Sequence, residues 1–333
     1  MTFLVTFYTR KDCKLCDQAK TDLDAIQADI PYDLVVVDID QDPDLQAIYR
    51  HRVPVIQAGP FTLEPPFDQK KLRMTLGAAR DNQSQRLEFE GIQYERKVQR
   101  RQTYSRGDRI SHFFSKHFMV LINLFLALYV GLPFLGPVLM KTGHPELAKP
   151  IYTIYGATCH KLAFRSWFLF GEQTYYPREA ANIEGLITYG DATGFSEDDL
   201  FTARSFNGNE ELGYKVPFCQ RDVAIWGAML LFGMLYAFSK RRIPPLPWYL
   251  WFLIGIAPIG LDGFSQLLSQ LGGFTLWAYR ESTPFLRTLT GGLFGLTTAW
   301  FGFPVIEETM EETRQILAAK RARALGRQEK KAD

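Results

Sequence analysis

The sequence predicts two architectures in one chain, an α/β head and an all-α membrane domain of about four transmembrane helices. Three observations carry this expectation. A Cys-x-x-Cys motif, Cys13-Lys14-Leu15-Cys16, directly follows an alternating apolar run, Phe3 to Tyr8. The hydrophobic fraction is 47%, yet residues 1–117 are polar, so apolar residues crowd into later runs such as Phe118–Met140 and Val223–Phe238. The remaining two of the 4 cysteines, Cys159 and Cys219, stand beside His160 and just before Asp222, next to those apolar runs. Four cysteines are too few for a disulfide scaffold in a chain of 333 residues. A formal net charge of +2 gives no reason to expect nucleic acid.

The head, residues 1–80, reads strand, helix, strand, helix, strand, strand, helix. Phe3–Tyr8 is a strand; without a basic start or a small-residue cleavage site it does not read as a signal peptide. A helix starts near Cys13 and runs to about Ala28, with Leu15, Ala19, Leu23 and Ile26 expected along one face. Asp33–Asp38 is a β-branched buried strand. Pro43–His51 is a short helix with proline in its first turn. Val53-Pro54-Val55-Ile56 opens another strand, Phe61–Leu63 makes an edge, and Gln69–Ala79 closes the domain.

This order, with Cys-x-x-Cys at the first helix and Val53-Pro54 opening the third strand, resembles the thioredoxin fold, particularly small glutaredoxin-like domains. The resemblance covers about 80 residues. It implies a cis bond at Val53-Pro54, with Pro54 facing the cysteine pair as a backbone platform for a partner peptide. It also implies Cys13 as nucleophile and Cys16 as resolving thiol. The residues themselves support the same roles. A helix N-terminus favours an anion and lowers a thiol's pKa. Lys11 and Lys14 add positive charge, and Cys16, one turn on, is placed to attack a mixed disulfide on Cys13. An inert docking module and a metal-ligating Cys-x-x-Cys are the competing readings. The chain departs from glutaredoxins in lacking Gly-Gly after the proline; Gln57-Ala58-Gly59-Pro60 stands there, so glutathione use does not carry over.

Residues 81–117 form a basic linker: from Arg96 to Lys116 there are seven Lys or Arg against one acid, Asp108. Such clusters mark the cytoplasmic flank of a membrane helix and suit anionic lipid. Within the membrane domain, residues 118–306, four runs are expected to span: Phe118–Met140, Val223–Phe238, Leu246–Leu261 and Leu289–Ile306. Basic clusters at Ser239–Arg242 and in the tail, Arg314–Lys331, leave an even number of spans between each pair. Both termini are therefore expected in the cytoplasm. The insertion 172–218, with nine acids and three bases, falls outside. Ile151–Phe170 contains His160, Lys161 and Arg165 and reads as a half-inserted helix, since charges facing lipid are costly. The tail, 307–333, reads as a charged cytoplasmic helix, solvated or docked on the head.

The polar landmarks of the membrane domain are Cys159-His160, Arg165, Pro217-Phe218-Cys219-Gln220-Arg221-Asp222, Asp262-Gly263 with Gln266, and Arg287 with Thr290-Gly291. All are expected at the outer ends of spans or in outer loops. The set resembles an uncharacterised prokaryotic membrane-protein family, a domain of unknown function, whose members share these four motifs. Three readings compete. Cys159, His160, Cys219 and Asp262 are ligands of zinc or another thiophilic metal. Cys159 and Cys219 are a disulfide pair. Or the polar residues form a hydrogen-bonded core with Gln266, Asp222 or Asp262 neutralising Arg165, Arg221 or Arg287 within the bundle, or a substrate pocket without thiol chemistry. The expected function is a membrane-anchored thiol–disulfide oxidoreductase with a protein thiol or disulfide as partner. The alternative is a metal-binding membrane protein, enzyme or transporter, with the head as a redox regulator or docking module.

Overall fold

The structure, a computed structural model, describes residues 3–270 and 278–332, apart from the side chains of 89–102 and 327–332. The basic side chains that the sequence places between Arg96 and Arg101 and beyond Gly326 therefore lie outside the described residues. The chain divides into two units, Met1–His117 with Glu308–Asp333, and Phe118–Glu307.

In the first unit, β1 (Phe3–Thr9) leads into α1 (Lys14–Gln27), then β2 (Tyr32–Asp38), α2 (Pro43–Tyr49), β3 (Val55–Ala58), β4 (Phe61–Leu63) and α3 (Gln69–Gln102). The sheet order is β2-β1-β3-β4. β1 runs parallel to β2, from Phe3↔Tyr32 to Thr9↔Asp38, and antiparallel to β3. This is the expected thioredoxin-like α/β arrangement. Strand alternation divides β1 between two cores. Phe3, Val5 and Phe7 pack with Cys16, Ala19, Leu23 and Ile26 of α1 and Leu72 and Leu76 of α3. Tyr8 faces the other way, with Val35, Val37 and Leu45.

Two details differ from the sequence reading. Leu15 is 65% exposed, and Cys16 takes its place on the buried face of α1. The reason is register: Cys13 caps the helix, so 16, 19, 23 and 26 share the inward stripe. In addition, α3 does not stop at Ala79 but runs on to Gln102, through the segment read as a linker; no proline interrupts it.

The second face of the sheet is covered by the C-terminal tail. Helix α11 (Pro284–Ala332) brings Ala318 and Ala319 into the core with Tyr8, Val35 and Val37. The tail is also fixed by Lys320 Nζ on Asp108 Oδ2 at 2.7 Å and by Arg314 donating to the Ser115 carbonyl at 2.8 Å. The tail is thus docked, not solvated on all sides. A mixed sheet with two apolar faces needs covering on both, and α2 alone is too short to do it.

In the second unit, α4 (Arg106–Lys141) precedes α5 (Pro145–Thr158), β5 (Ser166–Leu169), α6 (Tyr189–Thr193), α7 (Leu200–Ser205), β6 (Gly208–Asn209) and β7 (Gly213–Cys219). Then follow α8 (Gln220–Phe238), α9 (Trp248–Leu250), a π-helical stretch Trp251–Ile256, α10 (Ala257–Gln270) and α11. Four helices are long and apolar enough to cross a membrane: Arg106–Lys141, Gln220–Phe238, Trp248–Gln270 and Pro284–Gly326. Their outward faces carry Leu124, Leu128, Leu231, Leu253 and Phe264, all more than half exposed, as a lipid-facing surface does. The third span continues to Gln270, past the expected end at Leu261, so Asp262 and Gln266 sit within its helix.

Close approach of α8 and α11 explains the glycine of the Thr290-Gly291 motif. A Cβ on Gly291 would lie 2.7 Å from the Arg221 carbonyl oxygen, and one on Gly295 would collide with that of Ile225. This is the small-xxx-small seam that lets membrane helices touch backbone to backbone.

Residues 151–170 are not one half-inserted helix. α5 ends at Thr158, Cys159 is extended (φ −135°, ψ 149°), and β5 pairs with β7 at Ser166↔Cys219 and Phe168↔Lys215. An apolar run of this length does not by itself separate helix from strand; the partner strand inside the insertion decides it. The insertion is itself folded. Phe168 of β5, Tyr176, Tyr189 of α6 and Ala203 of α7 join Leu162, Ala163 and Phe164 in a separate core.

Candidate functional site

In the head, Cys13 and Cys16 are joined as a disulfide across the first turn of α1. Cys13 is the N-cap residue; its sulfur accepts from the Cys16 amide at 3.2 Å. Cys13 is half-buried, whereas Cys16 is 2% exposed inside the core. The pair is therefore graded in access: one sulfur is reachable, and the other is reachable only through the first. Val53-Pro54 is cis, and Pro54 is buried at the start of β3. Val53 and Cys13 pack against the same core.

In the second unit the polar landmarks gather at one end of the spanning helices. Arg221 and Asp222 open α8, Asp262 and Gln266 lie in the second half of the third span, Trp248–Gln270, and Arg287 lies in the first turn of α11. They divide into two groups. The first is an ion-pair network around two buried carboxylates. Glu281 accepts from Arg165 Nε at 2.7 Å and Arg165 Nη2 at 3.0 Å, and from Arg287. Arg178 lies 3.7 Å from it. Asp262 accepts from Arg280 at 2.9 Å, from the Ser282 hydroxyl at 2.7 Å and from Arg221. The Gln266 side-chain oxygen takes the Ser282 amide at 3.3 Å. Burial alone would raise the Glu281 carboxyl; the arginines beside it outweigh burial and hold it below its ordinary value.

Arg178 is further engaged by Asp198 and Glu197. Five guanidiniums thus face four carboxylates, close to charge balance. Such a network fits a polar core better than a metal site, because every buried carboxylate is already committed to cations.

The second group is Cys159, Cys219 and Asp222, with one ligand atom from each lying within 4.8 Å of the others. Cys159 caps the C-terminus of α5 and Cys219 the N-terminus of α8, and the β5–β7 ladder fixes the two helix ends side by side. Cys219 Sγ donates to Asp222 Oδ2 at 3.0 Å. Each sulfur also accepts a backbone amide at 3.4 Å, Cys159 from Lys161 and Cys219 from Asp222. Hydrogen bonding from Cys219 holds the Cys159 thiol below its ordinary value. The same pairing, with burial and the Asp222 charge, pushes Cys219 well above it.

Residues 4–80 match the family model described as a glutaredoxin-like domain (DUF836). Residues 203–301 match the one described as predicted membrane protein (DUF2085). The chain joins a glutaredoxin-like domain to a predicted membrane-protein domain. It is also similar to an uncharacterized protein of Methanocaldococcus jannaschii, 23% identical over 202 residues, covering 58% of this chain and 94% of that relative. No solved structure matches the chain at a significant level.

Of the residues singled out by sequence, the structure brings Cys13 to Cys16 in the glutaredoxin-like domain, and Cys159 to Cys219 in the membrane unit. It does not bring His160 or Asp262 to the second thiol pair. His160 is exposed and follows Cys159 in extended chain, where successive side chains point to opposite sides. Asp262 is held by Arg221, Arg280 and Ser282. Asp222, first read as a partner for arginine, stands with the thiols instead. Sequence reasoning missed Glu281, Arg178 and Arg280 altogether. It also missed Lys215, whose fully buried ammonium donates to the Lys161 and Arg204 carbonyls at 3.0 Å each. Burial drives that lysine's pKa well down.

Proposed function

We propose that this protein is a membrane-anchored thiol–disulfide oxidoreductase acting through its glutaredoxin-like domain. The observation that carries the reading is the graded cysteine pair at the N-terminus of α1, with Cys13 partly exposed and Cys16 buried. In the reduced protein the Cys13 thiolate attacks a partner disulfide. One partner sulfur leaves as a thiolate and takes up a proton, and a mixed disulfide remains on Cys13. Cys16 loses its proton, attacks the Cys13 sulfur and expels the second partner thiol. Two electrons pass from the dithiol to the partner, and Cys13–Cys16 is closed. In this reading the Pro54 backbone serves as the platform along which an extended partner segment aligns. The partner is a protein disulfide, or a protein dithiol if the direction is reversed.

The stoichiometric test uses full-length, pre-reduced protein in detergent, mixed with a peptide disulfide. Two alkylatable thiols per chain should disappear, and mass mapping should place the loss at Cys13 and Cys16. Persistence of both thiols while the peptide stays oxidised rejects the reading.

We further propose that both termini face the cytoplasm of a prokaryotic plasma membrane, with the insertion on the opposite side. Support comes from the basic segments at Ser239–Arg242 and in the tail, and from the acidic insertion. Single cysteines at Ser196 and Arg242, both exposed positions, in a chain lacking its native cysteines, discriminate. A non-permeant thiol reagent on intact cells should label Ser196→Cys and leave Arg242→Cys untouched until the cells are opened. The reverse pattern contradicts this orientation.

A further inference from the structure

We propose that Cys159, Cys219 and Asp222 hold one thiophilic divalent cation, zinc in kind, with its fourth coordination position open. This goes beyond the exchange reading and does not depend on it, because it uses neither Cys13 nor Cys16.

The first argument is donor geometry. A tetrahedral zinc ion with sulfur at about 2.3 Å and oxygen at about 2.0–2.2 Å sets neighbouring donors roughly 3.5–3.8 Å apart. The observed donors bracket that spacing: Cys219 Sγ to Asp222 Oδ2 is 3.0 Å, and no pair exceeds 4.8 Å. Side-chain adjustments of about 1 Å suffice to close the set around an ion.

The second argument is the rigidity of the frame. Cys159 and Cys219 cap two different helices, and Ser166↔Cys219 pairing locks the second to the strand that follows the first. Asp222, in the first turn of α8, lies on the same side as its cap. Three donors from two helix ends are therefore placed before any ion arrives.

The third argument is charge. Two thiolates and a carboxylate around a divalent ion leave one net negative charge. The Lys161 and Asp222 amides already aim at the two sulfurs at 3.4 Å. Backbone donors of this sort orient metal-bound thiolates and spread their charge.

The open position follows from what is nearby. His160 is exposed and not among the clustered donors, and Asp262 is engaged by Arg221, Arg280 and Ser282. The metal-capable cluster found among the described residues contains these three residues and no fourth. Three protein ligands and one free position distinguish catalytic or substrate-binding zinc from the closed structural kind.

The test uses full-length protein in detergent, with Cys13→Ser and Cys16→Ser so that the only thiols are Cys159 and Cys219. The same measurement is made on the native sequence with its head pair oxidised. Reduced protein is loaded with cobalt(II) as a zinc surrogate, and unbound metal is removed. The expected result is one cobalt per chain, with thiolate-to-cobalt charge-transfer absorption that zinc abolishes by displacement. Cys219→Ser should remove the charge-transfer band, and Asp222→Asn should weaken binding by at least about tenfold. Absence of retained cobalt and of the band in the loaded parent overturns the proposal, even if a ligand variant fails to fold. So does a Cys159–Cys219 disulfide that forms on air exposure whether or not the metal is present. Failure here leaves exchange at Cys13 untouched, since Cys13 and Cys16 are replaced in the variant and closed as a disulfide in the native sequence.

Discussion

Cys16→Ser should arrest the glutaredoxin-like domain as a mixed disulfide on Cys13, with turnover abolished. The argument rests on access. Cys13 is half-buried at the N-cap, and Cys16 is 2% exposed beneath it. An incoming disulfide meets Cys13 first. Without Cys16 the head holds no second thiol to release the adduct. Intact mass should show a single partner adduct per chain in Cys16→Ser, removed by added dithiol. Cys13→Ser should show none, because the remaining sulfur is enclosed by Ala19, Leu23 and the core of β1. Equal adduct yield in the two variants contradicts the assignment of roles.

Glu281→Ala should be the most damaging single substitution in the membrane unit. Its carboxylate is 1% exposed and serves Arg165 and Arg287 directly, with Arg178 at 3.7 Å. Removing it leaves buried guanidiniums without their anion, a change that costs about 3–5 kcal/mol. Thermal unfolding of the detergent-solubilised protein, followed through an introduced label in the unit, should show the midpoint falling sharply or the fold failing. Glu281→Gln keeps the shape and one acceptor oxygen and should fall in between. The same pairing carries a pH dependence. The folded Glu281 carboxyl is held below its unfolded value, so its contribution is present above about pH 4.3 and is lost as the pH falls through the folded value. An Ala variant as stable as the parent would remove the ion-pair network from the account of this unit.

How much the sequence disclosed differs between the two units for physical reasons. The head was readable because its signals are local. A β-branched run, a Cys-x-x-Cys at a helix start and a Val-Pro at a strand start each fix an element within a few residues. The misplacement of Leu15 came from helix phase, which the cap sets and composition does not. The four spans were readable because lipid demands long apolar runs. The break at Cys159 was not, because β5 takes its identity from β7, far along the chain in the insertion. Glu281 was not readable either: a single acid acquires meaning only from Arg165, 116 residues earlier. Asp222 carried a usable signal. A cysteine three residues before an aspartate at the start of a helix places both side chains on its first turn.

The same contrast bears on the tail. Its charge pattern, acids first and bases after, reads as a solvated helix. Ala318, Ala319 and Ala322 form a short apolar face that packs against the sheet of the head. Small residues leave little hydropathy trace, yet they allow a helix to lie close against strands.

The most direct measurement of the central claim is multiple-turnover reduction of a peptide disulfide by the full-length protein in detergent, with a dithiol as terminal reductant. The account predicts a rate proportional to protein concentration that vanishes to the uncatalysed background in the Cys13→Ser, Cys16→Ser double variant and is retained when Cys159 and Cys219 are replaced by serine in protein that still folds. A wild-type rate equal to that of the Cys13→Ser, Cys16→Ser variant would contradict it.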